Sequence, residues 1–240
     1  MFPILHLGPL AIPIAPVVLL CGFFLSASLV EHHAARLGLD RRAVSNMLYI
    51  AFGAALVGAR LGYVVMHLDA FARDPLGIIL PTPATLDTWW GILCGIGAGA
   101  LCGWKTKVPL WRTLDALAPG IAALALTLGI AHLAGGDAFG APARLPWSIY
   151  LWDDYRHPSQ VYDIIAAVII LVVWWFLRDR KMFDGLQFLV VIALYAASVI
   201  FLEAFRGDSF LFQGWRVAQL GALGVFALSL LILRVRAPIE

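Results

Sequence analysis

The sequence predicts an all-α integral membrane protein, one polytopic domain over residues 1–240 with seven transmembrane helices. Three observations predict it. Hydrophobic residues make up 62% of the chain, charged residues 13%, and the mean hydropathy is +0.88; an ordinary soluble domain has about 25% charged residues. Apolar runs near the length that crosses hydrocarbon, about 20 residues, recur along the chain. Basic residues gather in every second connection between those runs. The net charge of +2 is too small to point to a nucleic-acid partner.

The runs are Ile12–Val30, Asn46–His67, Thr88–Trp104, Leu114–Ala134, Gln160–Leu177, Gly185–Ala204 and Trp215–Leu233. The first has no basic stretch or small-residue cleavage signal before it, and reads as a retained span rather than a signal peptide. The third is short and carries Gly91, Gly95, Gly97, Gly99 and Gly103, a composition that lets helix backbones approach closely. Cys21, Cys94 and Cys102 lie inside apolar runs with no paired spacing, and read as packing residues.

Arg36, Arg41 and Arg42 follow the first run; Lys105, Lys107 and Arg112 the third; Arg178, Arg180 and Lys181 the fifth; Arg234 and Arg236 the seventh. The positive-inside rule then places the N-terminus on the exterior (periplasmic) side and the C-terminus in the cytoplasm. The larger exterior segments are about 68–87 and 135–156. Both carry proline turns and aromatic anchors, among them Trp89, Trp90, Trp147, Tyr150, Trp152 and Tyr155. The stretch Leu145–Trp152 is expected to lie flat on the outer leaflet or to form a short strand.

This topology collects the costly polar residues in the exterior half. Arg60 lies inside the second run, Glu203 near the end of the sixth with Arg206 one helical turn on, Asp137 after the fourth and Arg216 at the start of the seventh. An ionisable group inside a membrane marks a functional site or a structural ion pair, and Glu203 is expected to pair with Arg206 or Arg60. Asp115 differs: it opens the fourth run on the cytoplasmic side and reads as a helix-start or loop-fixing group. The most concentrated polar stretch is Arg156-His157-Pro158-Ser159-Gln160-Val161-Tyr162-Asp163. Pro158 suits a first helical turn, and the spacing of His157, Gln160 and Asp163 puts them roughly on one face. Such a cluster is either an interfacial cap or a site. No metal-ligand spacing or phosphate-binding glycine loop occurs, so neither metal nor cofactor is expected.

Together these segments resemble the bacterial prolipoprotein diacylglyceryl transferases along nearly the whole chain. Leu7-Gly8-Pro9, Gly58-Ala59-Arg60-Leu61-Gly62-Tyr63, Asp74-Pro75, Lys105-Thr106-Lys107, and Asp115 with Ala118-Pro119 match family segments. Gly136-Asp137-Ala138-Phe139-Gly140 is similar to Asn-Gly-Glu-x-Trp-Gly, and His157–Asp163 to His-Pro-Ser-Gln-x-Tyr-Glu. Tyr195, Glu203 and Arg206 fall at family spacing. The resemblance implies a multi-pass protein of the bacterial cytoplasmic (inner) membrane. It implies transfer of diacylglyceryl from phosphatidylglycerol to the cysteine thiol of a prolipoprotein signal segment. On this reading His157, His132, Tyr195 and Glu203 are the catalytic candidates, and Arg60, Arg206, Gln160, Tyr162 and Asp137 the lipid- or phosphate-binding ones.

The chain departs from the family at chemically important positions. Ala15 stands for a tyrosine, Trp90 for a histidine, Gly129 and Val199 for arginines, and His132 for an asparagine. Two lost guanidinium groups remove phosphate bonds that no neutral side chain replaces, and Trp90 is no base. His132 offers either a substitute imidazole or a packing residue. Two readings follow: a divergent transferase with altered or weakened chemistry, or a non-catalytic protein that holds a phospholipid or a lipoprotein segment. A transporter fits less well, because no paired broken helices are evident.

Overall fold

The computed structural model describes residues 4–7, 10–73, 75–78, 85–180 and 182–237. Gly8, Pro9 and Asp74, parts of two family-like segments, lie outside the described residues. The protein is mostly helical. Helices α1 (Ile14–Arg36), α2 (Arg41–Met66), α3 (Leu68–Arg73), α4 (Thr88–Lys105), α5 (Leu110–Gly135), α6 (Ser159–Leu177), α7 (Leu186–Leu202) and α8 (Val217–Arg236) follow one another along the chain. Among the described residues there are three antiparallel strand pairs: β1 (Ile4–Leu7) with β2 (Leu10–Pro13) before α1, β3 (Ile149–Leu151) with β4 (Asp154–Arg156) between α5 and α6, and β5 (Leu211–Phe212) with β6 (Trp215–Arg216) between α7 and α8. Within the 145–152 stretch, Ile149–Leu151 takes the strand alternative.

Among the described residues six helices are long and apolar enough to cross a membrane: α1, α2, α5, α6, α7 with its extension to Phe205, and α8. The 18-residue α4 is not among them. Its length, about 27 Å at 1.5 Å per residue, would suffice, but its glycines and tryptophans dilute the apolar content.

The chain divides into two compact units, Met1–Val30 with Leu114–Glu240, and Glu31–Thr113, the boundaries falling inside α1 and α5. In the second unit α2 packs on α4 through small residues. A Cβ on Gly91 would meet Ala55 O and Ala59 Cβ, both at 3.1 Å, and one on Gly95 would meet Ala51 O at 3.1 Å. Gly97 faces open space, so only part of the glycine series serves packing. Trp90 lies over Gly62, where a Cβ would meet its Cγ at 2.2 Å.

In the first unit, α7 packs against both α6 and α8. Ala118 and Ala122 of α5, Ile170 and Trp174 of α6 and Val191 of α7 form its buried core. Trp174 Nε1 donates to Gln187 Oε1 at 3.0 Å, which satisfies both polar groups inside that core. Asp115 fixes the start of α7: its Oδ2 accepts from Gly185 N at 2.6 Å and its Oδ1 from Phe188 N at 3.0 Å. The loop-fixing role expected from sequence is therefore met, with a partner 70 residues away. Asp115→Ala leaves two amide donors without their acceptor and is expected to cost about 2 kcal/mol. The check is the thermal midpoint of the detergent-solubilised protein; an unchanged midpoint would refute it.

Candidate functional site

A cavity of about 220 Å³ opens between α5, α6, α7 and the chain beyond α7. Helical spacing explains its wall. Leu128, Gly129 and His132 share one face of α5; Asp163 and Ala167 share one face of α6; Tyr195, Ser198, Val199 and Leu202 line one face of α7. Glu203, in a short 3₁₀ turn over Glu203–Phe205, and Arg206 complete it.

Arg206 is the cationic centre. Its Nε lies 3.7 Å from Glu203 Oε2 and 3.2 Å from Asp208 Oδ1, and its Nη1 lies 3.9 Å from Asp163 Oδ2. Burial works against this cation, but the hydrogen bond and charge of Asp208, then Glu203 and Asp163, outweigh it and raise its pKa above the ordinary value. The guanidinium thus stays charged at any pH where the folded protein is assayed. Of the two partners expected for Glu203, Arg206 is the one found. Asp208, which sequence analysis does not single out, makes the closest contact. Its only sequence signal is a carboxylate two residues past a membrane-boundary arginine.

The backbone around Arg206 is held by a three-stranded seam. Ala141 N donates to Phe205 O at 2.8 Å, Gly207 N to Phe139 O at 2.9 Å, and His157 N to Ala141 O at 3.0 Å. Ser159 Oγ donates to Ala138 O at 2.6 Å and Gln160 Nε2 to Asp137 O at 2.8 Å. The Asp137–Ala141 stretch is thus stitched to the start of α6 on one side and to the Arg206 segment on the other. Gln160, 0% exposed, serves this seam, and Asp137 is exposed, contributing its carbonyl.

A second, apolar groove of about 550 Å³ lies between α6 and α7 and shares Ser198 and Leu202 with the polar cavity. His157 and Tyr162 belong to it. Tyr162 Oη accepts from Trp147 Nε1 at 2.9 Å and lies 3.3 Å from His157 Nδ1, while the His157 ring packs on Phe205. His157 precedes the first residue of α6, so the single face expected for His157, Gln160 and Asp163 does not form. The three go to the groove, the seam and the polar cavity respectively.

Arg60, 8% exposed, lies in the other unit. Its Nε donates to Ile78 O at 3.1 Å, its Nη1 to Thr85 O at 3.0 Å and its Nη2 to Gly77 O, with Phe71 under the guanidinium. These bonds hold Gly77, Ile78 and Thr85 to α2. A second-span arginine can therefore act through backbone carbonyls, and its spacing alone does not distinguish that from phosphate binding.

Three of the five positions at which the chain departs from the resembled pattern meet at the polar cavity: Gly129, His132 and Val199 share its wall with Tyr195, Glu203 and Arg206, whereas Ala15 and Trp90 do not line it. The sequence pattern of the prolipoprotein diacylglyceryl transferases matches residues 3–235. The chain belongs to the prolipoprotein diacylglyceryl transferase family. Relatives named phosphatidylglycerol–prolipoprotein diacylglyceryl transferase include one from Synechococcus elongatus, 25% identical over 95% of this chain and 84% of its own length. One from Clostridioides difficile is 27% identical over 86% of this chain and 84% of its own. One from Aliarcobacter butzleri is 29% identical over 90% of this chain and 82% of its own. The diacylglyceryl transferase pattern thus spans α1 to α8, including α4.

Proposed function

We propose that the protein transfers a diacylglyceryl group from a phospholipid to the cysteine thiol of a prolipoprotein signal segment, more slowly than its relatives do. The relatives' names give phosphatidylglycerol and prolipoprotein as substrates. The single observation that carries the reading is the shared wall: His132, Tyr195, Glu203 and Arg206 line one cavity, and an apolar groove adjoins it across Ser198 and Leu202. The polar cavity suits a headgroup and the groove an acyl chain.

In the reaction the thiol sulfur attacks the glycerol carbon that carries the phosphate. A carbon–sulfur bond forms, the carbon–oxygen bond breaks, and the bonding pair leaves with the phosphate oxygen. His132 takes the thiol proton, and Arg206 meets the charge that develops on the departing phosphate. With glycine at 129 and valine at 199, a single guanidinium stabilises that charge at the cavity wall, which accounts for a slower step.

The same reading places the protein in a bacterial cytoplasmic membrane with α4 as its seventh span. The N-terminus then lies outside and the C-terminus inside, as the basic connections favour. The polar cavity then opens at the exterior ends of α5, α6 and α7.

The test combines purified protein, labelled phosphatidylglycerol and a lipobox peptide, with the peptide read by mass. A diacylglyceryl-modified cysteine is expected. His132→Ala is expected to slow its formation by about 100-fold with the thermal midpoint unchanged. Folded, lipid-bearing protein that modifies no peptide would overturn catalysis. It would favour instead a lipid- or lipoprotein-holding role, which Gly129 and Val199 on the cavity wall support.

A further inference from the structure

The charge balance of the polar cavity bears on which headgroup it takes. Its wall carries one guanidinium, Arg206, and two carboxylates, Asp163 and Glu203. With His132 neutral the wall sums to one negative charge, and Asp208 adds another carboxylate against the same guanidinium. Arg216, whose Nη1 donates to the carbonyls of Glu203 and Arg206 and to Ser209 Oγ, sits behind the same wall and offsets Asp208, so the balance stays at one negative charge.

Asp163 and Glu203 also keep room for a further donor. Their contacts with Arg206, at 3.9 and 3.7 Å, are longer than charge-assisted hydrogen bonds. Neither carboxylate has a closer side-chain or backbone donor among the described residues. Glu203 is only 6% exposed, and its long contact with Arg206 leaves acceptor capacity that a further donor in the cavity can fill. Tyr195 lines the same space, and an aromatic ring beside an ammonium group can add a cation–π contact.

We infer that the cavity takes a zwitterionic phospholipid head, a phosphate esterified to an amino alcohol such as ethanolamine, in preference to an anionic phosphoglycerol head. The phosphate meets Arg206 and the ammonium meets Asp163 and Glu203. An anionic head adds a negative charge to a wall that already carries one, whereas a zwitterion adds none and fills both open carboxylates. The inference rests on the proposed transfer reaction only for its consequence: with this donor the thioether forms as before, His132 takes the thiol proton, and phosphoethanolamine leaves with the bonding pair.

The test measures two things on the full-length protein in detergent. The first is equilibrium binding of dihexanoyl phosphatidylethanolamine and dihexanoyl phosphatidylglycerol. The second is lipobox-peptide modification with each donor, reading both the peptide and the released headgroup phosphate by mass. The ethanolamine lipid is expected to bind roughly fivefold tighter, and Asp163→Asn to bring the two near parity. Glu203→Gln is the second variant should the first fail to fold. Equal or tighter binding of the glycerol lipid, or binding of neither, overturns the inference. Tighter ethanolamine-lipid binding with no peptide modified from either donor keeps the headgroup assignment and removes the transferase reading. Modification from the glycerol lipid alone does the reverse.

Discussion

Gly140→Ala is expected to lower the thermal midpoint by roughly 10 °C and to abolish lipid-headgroup binding. A Cβ at 140 would meet His157 O at 2.1 Å and His157 C at 2.8 Å, both backbone atoms that no rotamer change can move. The opposite side is closed as well, because a Cβ on Gly207 would meet Gly140 O at 2.7 Å. Residue 140 is therefore the middle layer of a seam with no room on either flank. Pushing it apart breaks the bonds from Ala141 to Phe205 and from Gly207 to Phe139, and with them the backbone that presents Arg206. Gly97→Ala, at a position that faces open space, is the matched control and is expected to leave both readouts unchanged. Comparable losses in the two variants would show that the seam is not what Gly140 supports.

Arg206→Ala is expected to weaken headgroup binding by about 100-fold, since it removes the one guanidinium that the described residues place on the cavity wall. It also leaves Asp163, Glu203 and Asp208 facing one another without their shared cation. Removing one partner of a buried ion pair costs about 3–5 kcal/mol. The Arg206 side chain keeps 24% exposure, so a cost of about 2 kcal/mol is expected after solvent screening. Arg206→Lys separates the two effects. It restores the charge but not the planar fork, so stability should recover most of the way while binding stays about tenfold weak. Isothermal binding of a short-chain phospholipid and a melting curve on each variant provide the check. Full binding by the alanine variant would remove Arg206 from the site.

Much of this architecture follows from local sequence. The helices are apolar runs of membrane length. The Glu203–Arg206 pair follows from one-turn spacing, and Asp115 was legible because a carboxylate at a helix boundary has few uses other than holding amides. What local spacing does not convey is which side of a helix its polar residues serve once neighbours are packed. Gln160 and Asp163 are three residues apart on α6, yet one is turned into the seam and the other into the cavity. His157, just outside the helix, follows the loop rather than the helical period and joins an aromatic cluster with Tyr162 and Phe205. The strand pairs β1–β2 and β5–β6 escaped an all-helical expectation because their strands are only two to four residues long. Arg60 shows the same limit from the other direction. Its cost inside an apolar run was visible, but its carbonyl partners lie 17 to 25 residues further on.

Position 129 constrains how this protein can change. A Cβ there would meet Ile164 Cγ1 at 2.8 Å and Ile164 N at 3.3 Å. The space that an arginine stem would need is therefore already filled by a side chain of α6. A single-nucleotide change can turn a glycine codon into an arginine codon, yet that step lands in a steric clash unless residue 164 has first become smaller. The two positions are epistatic, and the order of events matters. Once isoleucine occupies that space, the arginine that the family resemblance implies at 129 is out of reach of any one-step change. The lineage is held to whatever chemistry a cavity with a single guanidinium allows.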